Sequence, residues 1–185
     1  MKAPATGQAA PPGITPLRPE REDLRVAALA ALAVALHVLE AALPSPVPGM
    51  KPGLANVVTL LALVRFGWRT AAWVAALRVV VSGLVLGTFL SPTFLLSAGG
   101  AAAALGALGL AVRCPGRGFS PLGLGLVAAM AHMGGQLLVA WALFVPHPAV
   151  ALLAAPLMTA AAAFGTLSGI IAWRILAQEE ATEQA

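Results

Sequence analysis

Eight polar side chains stand within or beside otherwise apolar runs: Glu40, Lys51, Asn56, Arg78, Ser82, Ser97, His132 and Gln136. Polar and ionisable groups among apolar neighbours are costly in a bilayer, so those that persist are candidates for binding or transport. His132 and Gln136 are four residues apart, as are Arg78 and Ser82, so each pair shares one helix face. The set suits non-covalent recognition. Arg78 and Lys51 point to a substrate with an anionic or strongly polar end, and the amides and hydroxyls add hydrogen bonds. Each group also has a structural reading. Arg78 would pair with Glu40 or backbone carbonyls, His132 would bond between helices, and Gln136 and Ser82 would be packing contacts. His37, three residues before Glu40, would hydrogen-bond it, and Lys51 would snorkel from a rigid connector.

Other chemistries are excluded by residue type. Asp23 is the only aspartate, so no aspartate cluster can hold magnesium. The three histidines, His37, His132 and His147, lack any short metal-binding spacing, and Cys114 has no second thiol. No G-x-x-x-x-G-K-[ST] run is present, so energy coupling would have to come from other subunits. Neither a metal nor a cofactor is expected, and the chain reads as a non-enzyme.

The elements that must position these groups follow from composition. Apolar residues make up 59% of 185 and charged residues 10%, with a mean hydropathy of +0.89. A soluble domain carries about 25% charged residues. This balance rules out a soluble globular enzyme, a disordered chain and a nucleic-acid-binding domain. The net charge of +4 then records loop charge in a membrane protein rather than a nucleic-acid partner.

Six apolar segments are read: 24–43, 54–66, 70–90, 94–112, 121–145 and 149–173. They predict an all-α polytopic membrane protein of six transmembrane helices over residues 24–175. Residues 1–23, with five prolines, read as a disordered cytoplasmic tail rather than a cleaved signal, and residues 176–185 as a short acidic cytoplasmic tail. The second segment has only thirteen residues, about 20 Å of helix. It spans only if it runs on to Trp68 or if the bilayer thins. With the N-terminus inside, nine Lys/Arg fall in inner segments and only Lys51 outside. The positive-inside bias therefore places both termini in the cytoplasm.

That topology gives each polar group a depth. Glu40, Asn56 and Ser97 lie near outer helix ends. Ser82 and Gln136 are eight and nine residues from the outer ends of their segments, and Arg78 and His132 about twelve and thirteen. The polar groups thus converge on a site open to the outside and closed towards the cytoplasm. Four prolines stiffen the outer loop 44–53, which reads as a lid or a rigid connector. Lys51 and the positive N-terminal end of the second helix would face an anionic group at the outer mouth. Small residues recur four apart: Ala27, Ala31 and Ala35 on the first helix, Gly83 and Gly87 on the third, and Gly165 and Gly169 on the sixth. They read either as internal packing or, for the alanine stripe, as a docking face for a partner membrane subunit.

Pro46, Pro48-Gly49, Lys51 and Gly53-Leu54-Ala55-Asn56 resemble the P-G-x-K-x-G-L-A-N signature of a bacterial membrane family. That family is described as heptaprenyl diphosphate synthase component I, or Gx transporter family. Glu40, Arg78, Gly87-Thr88-Phe89, Ser97 with Gly100, and His132 with Gln136 agree with it, and the similarity covers about residues 26–175. Met133 departs from it, standing where the pattern has Asn. The family is similar to the S components of energy-coupling factor transporters. The resemblance implies an S-component-like bundle with an outward-facing pocket under the first loop. It also implies an energising membrane subunit docked on the alanine-rich first helix, with ATPases behind it, in the bacterial cytoplasmic membrane.

The expected function is that of a substrate-binding importer subunit for a small polar or anionic solute with an aromatic or isoprenoid remainder. Its partners would be that small molecule, membrane lipid and the energising subunits. The alternative is a non-catalytic assembly subunit of an isoprenoid, quinone or flavin-linked redox system. Prenyl chain elongation by this chain alone is not expected, because Glu40 is the only carboxylate between Asp23 and Glu179.

Overall fold

The computed structural model describes residues 20–43, 53–114 and 119–183. Among them there are six α-helices: α1 Arg21–Ala42, α2 Leu54–Phe66, α3 Trp68–Val85, α4 Pro92–Ala111, α5 Pro121–Val139 and α6 Ala149–Glu183. α5 widens into a π-helical turn over Ala140–Phe144. The 44–52 part of the proline-rich loop, with Lys51, lies outside the described residues, as does most of the N-terminal tail.

Local chemistry sets the helix starts. Glu20 and Asp23 form a capping box at α1, with the Glu20 amide donating to Asp23 at 3.0 Å. Hence α1 begins at Arg21, inside the stretch read as tail. α4 and α5 both open with Ser-Pro: Ser91 and Ser120 accept from Phe94 N and Gly123 N, each at 3.3 Å. Proline fits the first turn, where an N–H would have no partner. Gly67 alone joins α2 to α3, at φ +89, a conformation that disfavours other residues.

α2 does not run on to Trp68. Its thirteen residues lie at the centre, packed against α1, α3, α5 and α6. Ala55, Val57, Val58, Leu60, Ala62 and Leu63 are all buried, so every face of α2 meets protein. A helix that is apolar all round belongs in such a core position. The other five are long and apolar enough to cross a membrane. Their outer faces carry exposed large side chains, among them Leu32, Trp73, Leu84, Leu110, Leu138 and Leu152. A large apolar surface of this kind is suited to lipid. The protein is a multi-pass helical membrane bundle.

Glycines let the helices approach closely. A Cβ at Gly125 would lie 2.6 Å from the Gly165 carbonyl oxygen, and one at Gly169 2.6 Å from Leu122 Cα, so α5 and α6 meet backbone to backbone. Gly135 does the same for α4, 2.7 Å from the Gly99 carbonyl oxygen. The expected Gly165/Gly169 stripe is therefore a packing seam. The Gly83/Gly87 stripe is not one, because α3 ends at Val85. Gly83 makes room for the Phe94 ring, while Gly87 lies beyond the helix at φ +67. The alanine stripe of α1 faces away from the bundle. Ala27, Ala31 and Ala35 are exposed, whereas Ala30, Ala33 and Glu40 point inward.

One end of the bundle is rich in arginine and aromatic residues. Arg25 lies over the Phe66 ring at 5.5 Å, Arg113 over Trp68 at 5.9 Å and Arg174 over Trp173 at 5.6 Å. Cation–aromatic belts of this kind mark a membrane–water interface. α6 continues ten residues beyond Trp173, and there Glu179 pairs with Arg65 of α2 at 2.6 Å. The segment read as a short acidic tail is thus helical through Glu183.

Candidate functional site

A cavity of about 510 Å³ lies among the helices, lined by residues from all six. A pocket of this size takes one small molecule. Its polar groups gather towards one end and the middle, where Leu96, Leu137 and Leu157 also line it, and the far wall is almost wholly apolar. Near the end opposite the arginine belt it is lined by His37, Glu40, Asn56, Ser97 and Gln136. Thr59, Arg78 and His132 follow, each near the middle of its helix. Beyond them lie Leu60, Leu105, Leu108, Ala128 and Phe164, with Ser168 as a buried polar group.

The first turn of α2 organises the polar part. Glu40, buried at the end of α1, accepts a hydrogen bond from the Leu54 backbone N–H. It thereby occupies the positive N-terminal end of α2 with the protein's own carboxylate. The sequence reading left that helix end for an external anion; Glu40 fills it instead. Two residues on, Asn56 Oδ1 accepts from Arg78 Nη1 at 3.0 Å. Glu40 and Arg78 are therefore fastened to neighbouring positions of α2. Among the described residues the only direct ion pair is Arg65–Glu179, so the Arg78–Glu40 pair of the structural reading is not made as a direct contact, although the Glu40 charge acts on Arg78 from a distance.

That leaves Arg78 short of acceptors. It is 5% exposed, its Nε has no hydrogen-bond partner, and the same holds for Thr59 Oγ1 and His132 Nδ1. A buried cation whose one hydrogen bond is to a neutral amide oxygen, with its nearest carboxylate engaged elsewhere, is only partly compensated. Opposite Arg78, His132 and Gln136 lie together against Gly100 of α4. A Cβ at Gly100 would lie 2.8 Å from both His132 Nε2 and Gln136 Cγ. The bare glycine is what gives these two side chains their places.

Of the residues singled out from sequence, Glu40, Asn56, Arg78, Ser97, His132 and Gln136 line the cavity. Ser82 does not. It is 2% exposed and buried away from the wall, although it lies one helical turn from Arg78. α3 ends at Val85, so Ser82 is three residues from the helix end, not eight, and Arg78 is seven, not twelve. Thr59, Thr93, Met133 and Ser168 line the cavity without having been singled out as binders. Thr59 was detectable as a hydroxyl three residues after Asn56 on an otherwise apolar helix. Met133 puts a thioether in the wall. Among the described residues no group of three or more His, Cys, Asp or Glu side chains is placed to hold a metal.

The family model described as heptaprenyl diphosphate synthase component I matches residues 29–175. No curated protein and no solved structure matches the chain. The matched span reaches all six helices and includes the whole cavity wall, in agreement with the signature at the start of α2. On that extent the chain belongs to the heptaprenyl diphosphate synthase component I family.

Proposed function

We propose that this protein is the substrate-binding subunit of a membrane importer. It would take up a small polar or anionic solute with an apolar remainder from the outer face of the bacterial cytoplasmic membrane. One observation carries the reading: polar side chains from separate helices converge on a single small-molecule-sized cavity inside a bundle whose outside is apolar. Packing contacts alone do not require an internal space of about 510 Å³ beside a buried arginine that makes no direct ion pair and feels the Glu40 carboxylate only from a distance. The arginine-rich end is assigned to the cytoplasm by the positive-inside rule. The polar part of the cavity then lies towards the outside. Glu40, Asn56, Arg78, Ser97, His132 and Gln136 are the proposed binding residues, with Lys51, outside the described residues, as a further candidate; Ser82 would support Arg78 from the same helix.

The outward-facing Ala27, Ala31 and Ala35 give a partner membrane subunit a smooth surface on α1, and ATPases would act through that subunit. A second reading rests on the family description, which names this chain as one component of a synthase system. Under it the chain is a non-catalytic membrane subunit that holds an isoprenoid-forming partner. Purification of the tagged full-length chain from its native membrane, with identification of the proteins that accompany it, separates the two. An ATP-binding subunit with a second membrane protein supports the importer. A prenyl-transferring subunit without an ATPase supports the assembly role and overturns the importer.

A further inference from the structure

The cavity has a polarity, a direction and a size, and together they describe its ligand more narrowly than the importer reading does. The polarity comes from which groups are already engaged. Glu40 is held by the N-terminal end of α2, so its charge has a partner within the protein. Arg78 has the Asn56 amide oxygen as its one hydrogen-bond acceptor, with the Glu40 charge acting from further off, and it lines the cavity together with Thr59 and His132. Of the charges that line the cavity, only Arg78 has no direct ionic or helix-end partner, so this is where an added anion gains most. The direction comes from the wall beyond Arg78, where Leu105, Leu108 and Phe164 lead towards the arginine-rich end. Counted from the opposite ends of α4 and α6, these three lie roughly 20–24 Å deep at ~1.5 Å per residue.

The size follows from volume. An apolar cavity of ~150 Å³ holds one benzene, about 25 Å³ for each non-hydrogen atom, so about 510 Å³ holds roughly twenty such atoms. A heptaprenyl chain, seven isoprene units of five carbons each, exceeds that before any phosphate is added. We propose that the cavity binds one amphipathic anion of about twenty non-hydrogen atoms. Its negative head lies midway through the bundle against Arg78, Thr59 and His132, and its apolar tail lies along Leu105, Leu108 and Phe164. This rests on the binding-protein reading and adds head charge, head position, tail direction and an upper size. A heptaprenyl chain would have to leave part of its length outside the cavity, whereas prenyl phosphates of two or three units fit within it.

The test uses the full-length protein in detergent and measures equilibrium binding of four probe sets. These are prenyl monophosphates of increasing length up to heptaprenyl, the matching prenyl alcohols, straight-chain carboxylates of comparable size, and inorganic phosphate. The expected result is tightest binding at two or three isoprene units. The alcohols should bind about tenfold or more weaker, as expected when a hydrogen bond to a charged group is lost. Phosphate alone should not bind measurably. The carboxylate and prenyl phosphate arms decide which anion the head is. Leu105→Trp should shift the preferred length down and Phe164→Ala should shift it up, and no purely structural role produces opposite shifts.

Three results overturn the proposal: alcohols binding as tightly as anions, heptaprenyl phosphate binding as tightly as the short members, or no dependence of preferred length on residues 105 and 164. If none of the probes binds and the molecule that co-purifies in stoichiometric amount is not an amphipathic anion of about this size, the proposal is wrong and the binding-protein reading stands; one that is such an anion upholds both. If nothing binds and nothing co-purifies, both fail.

Discussion

Gly100→Ala isolates the contact that positions the polar wall. A methyl group at this position would lie 2.8 Å from His132 Nε2 and from Gln136 Cγ, with His132 Cδ2 at 2.9 Å. Carbon atoms in good contact are about 3.5–4.0 Å apart, so His132 and Gln136 must move by roughly 0.7 Å or more. The helices cannot simply separate, because Gly135 approaches the Gly99 carbonyl oxygen one residue away. Overpacking of this kind costs about 1–3 kcal/mol. Gly134→Ala is the matched control: it is a helical glycine two residues from His132, and nothing lies within 4 Å of its added Cβ. Both substitutions gain helix propensity of about 0.5–1 kcal/mol, which cancels in the comparison. Gly100→Ala should therefore be about 1–3 kcal/mol less stable than Gly134→Ala. At roughly 2–4 °C per kcal/mol for a chain of this size, the two should melt several degrees apart in detergent. Gly100→Ala should also retain less ligand, since both displaced side chains line the cavity. Equal or reversed melting temperatures would refute the claim that α4 and α5 pack rigidly around His132.

Other substitutions test single contacts. Glu40→Leu removes the acceptor from Leu54 N–H and should lower stability by about 1–3 kcal/mol, whereas Glu40→Gln keeps an acceptor and should lose only ~0.3–1 kcal/mol, both read by thermal unfolding in detergent. Asn56→Leu takes from Arg78 its hydrogen-bonded oxygen and should destabilise by about 1–3 kcal/mol; Asn56→Asp, which supplies a charged acceptor, should fold while binding an anionic ligand more weakly. Ala31→Trp lies on the exposed stripe of α1 and should leave the stability of the isolated protein within about 0.5 kcal/mol of wild type, read by thermal unfolding in detergent. If α1 docks a membrane partner as proposed, the same substitution should reduce that partner's co-purification.

The helices were legible because an apolar run of bilayer length leaves few alternatives. α2 was bounded correctly at Leu54 and Phe66 because Gly53 and Gly67 flank it and each takes a positive φ. The end of α3 was not legible: Val85 to Leu90 continue the apolar pattern, and only the left-handed Gly87 and Leu90 show that the chain has turned. α6 outran its expected end because hydropathy stops at Trp173 while good helix formers such as Gln178, Glu179 and Glu180 continue the helix. Six cavity-lining residues were identified because ionisable and amide groups stand out in apolar sequence. Ser82 was misplaced because a four-residue spacing gives a shared face but not which part of that face borders a space. Thr59 was overlooked because a lone hydroxyl in an apolar run looks like a packing residue. The role of Glu40 depends on a contact fourteen residues away, and no helical periodicity encodes such a contact.

The claim that the bundle encloses a ligand site is tested most directly by mass spectrometry of small molecules that co-purify with the full-length protein in mild detergent. Arg78→Ala and Gly134→Ala would be prepared in parallel. The account predicts one stoichiometric small molecule in wild type and in Gly134→Ala, lost from Arg78→Ala while that variant remains folded. Wild-type protein that is folded, empty and unable to take up any molecule from a cell extract would contradict it.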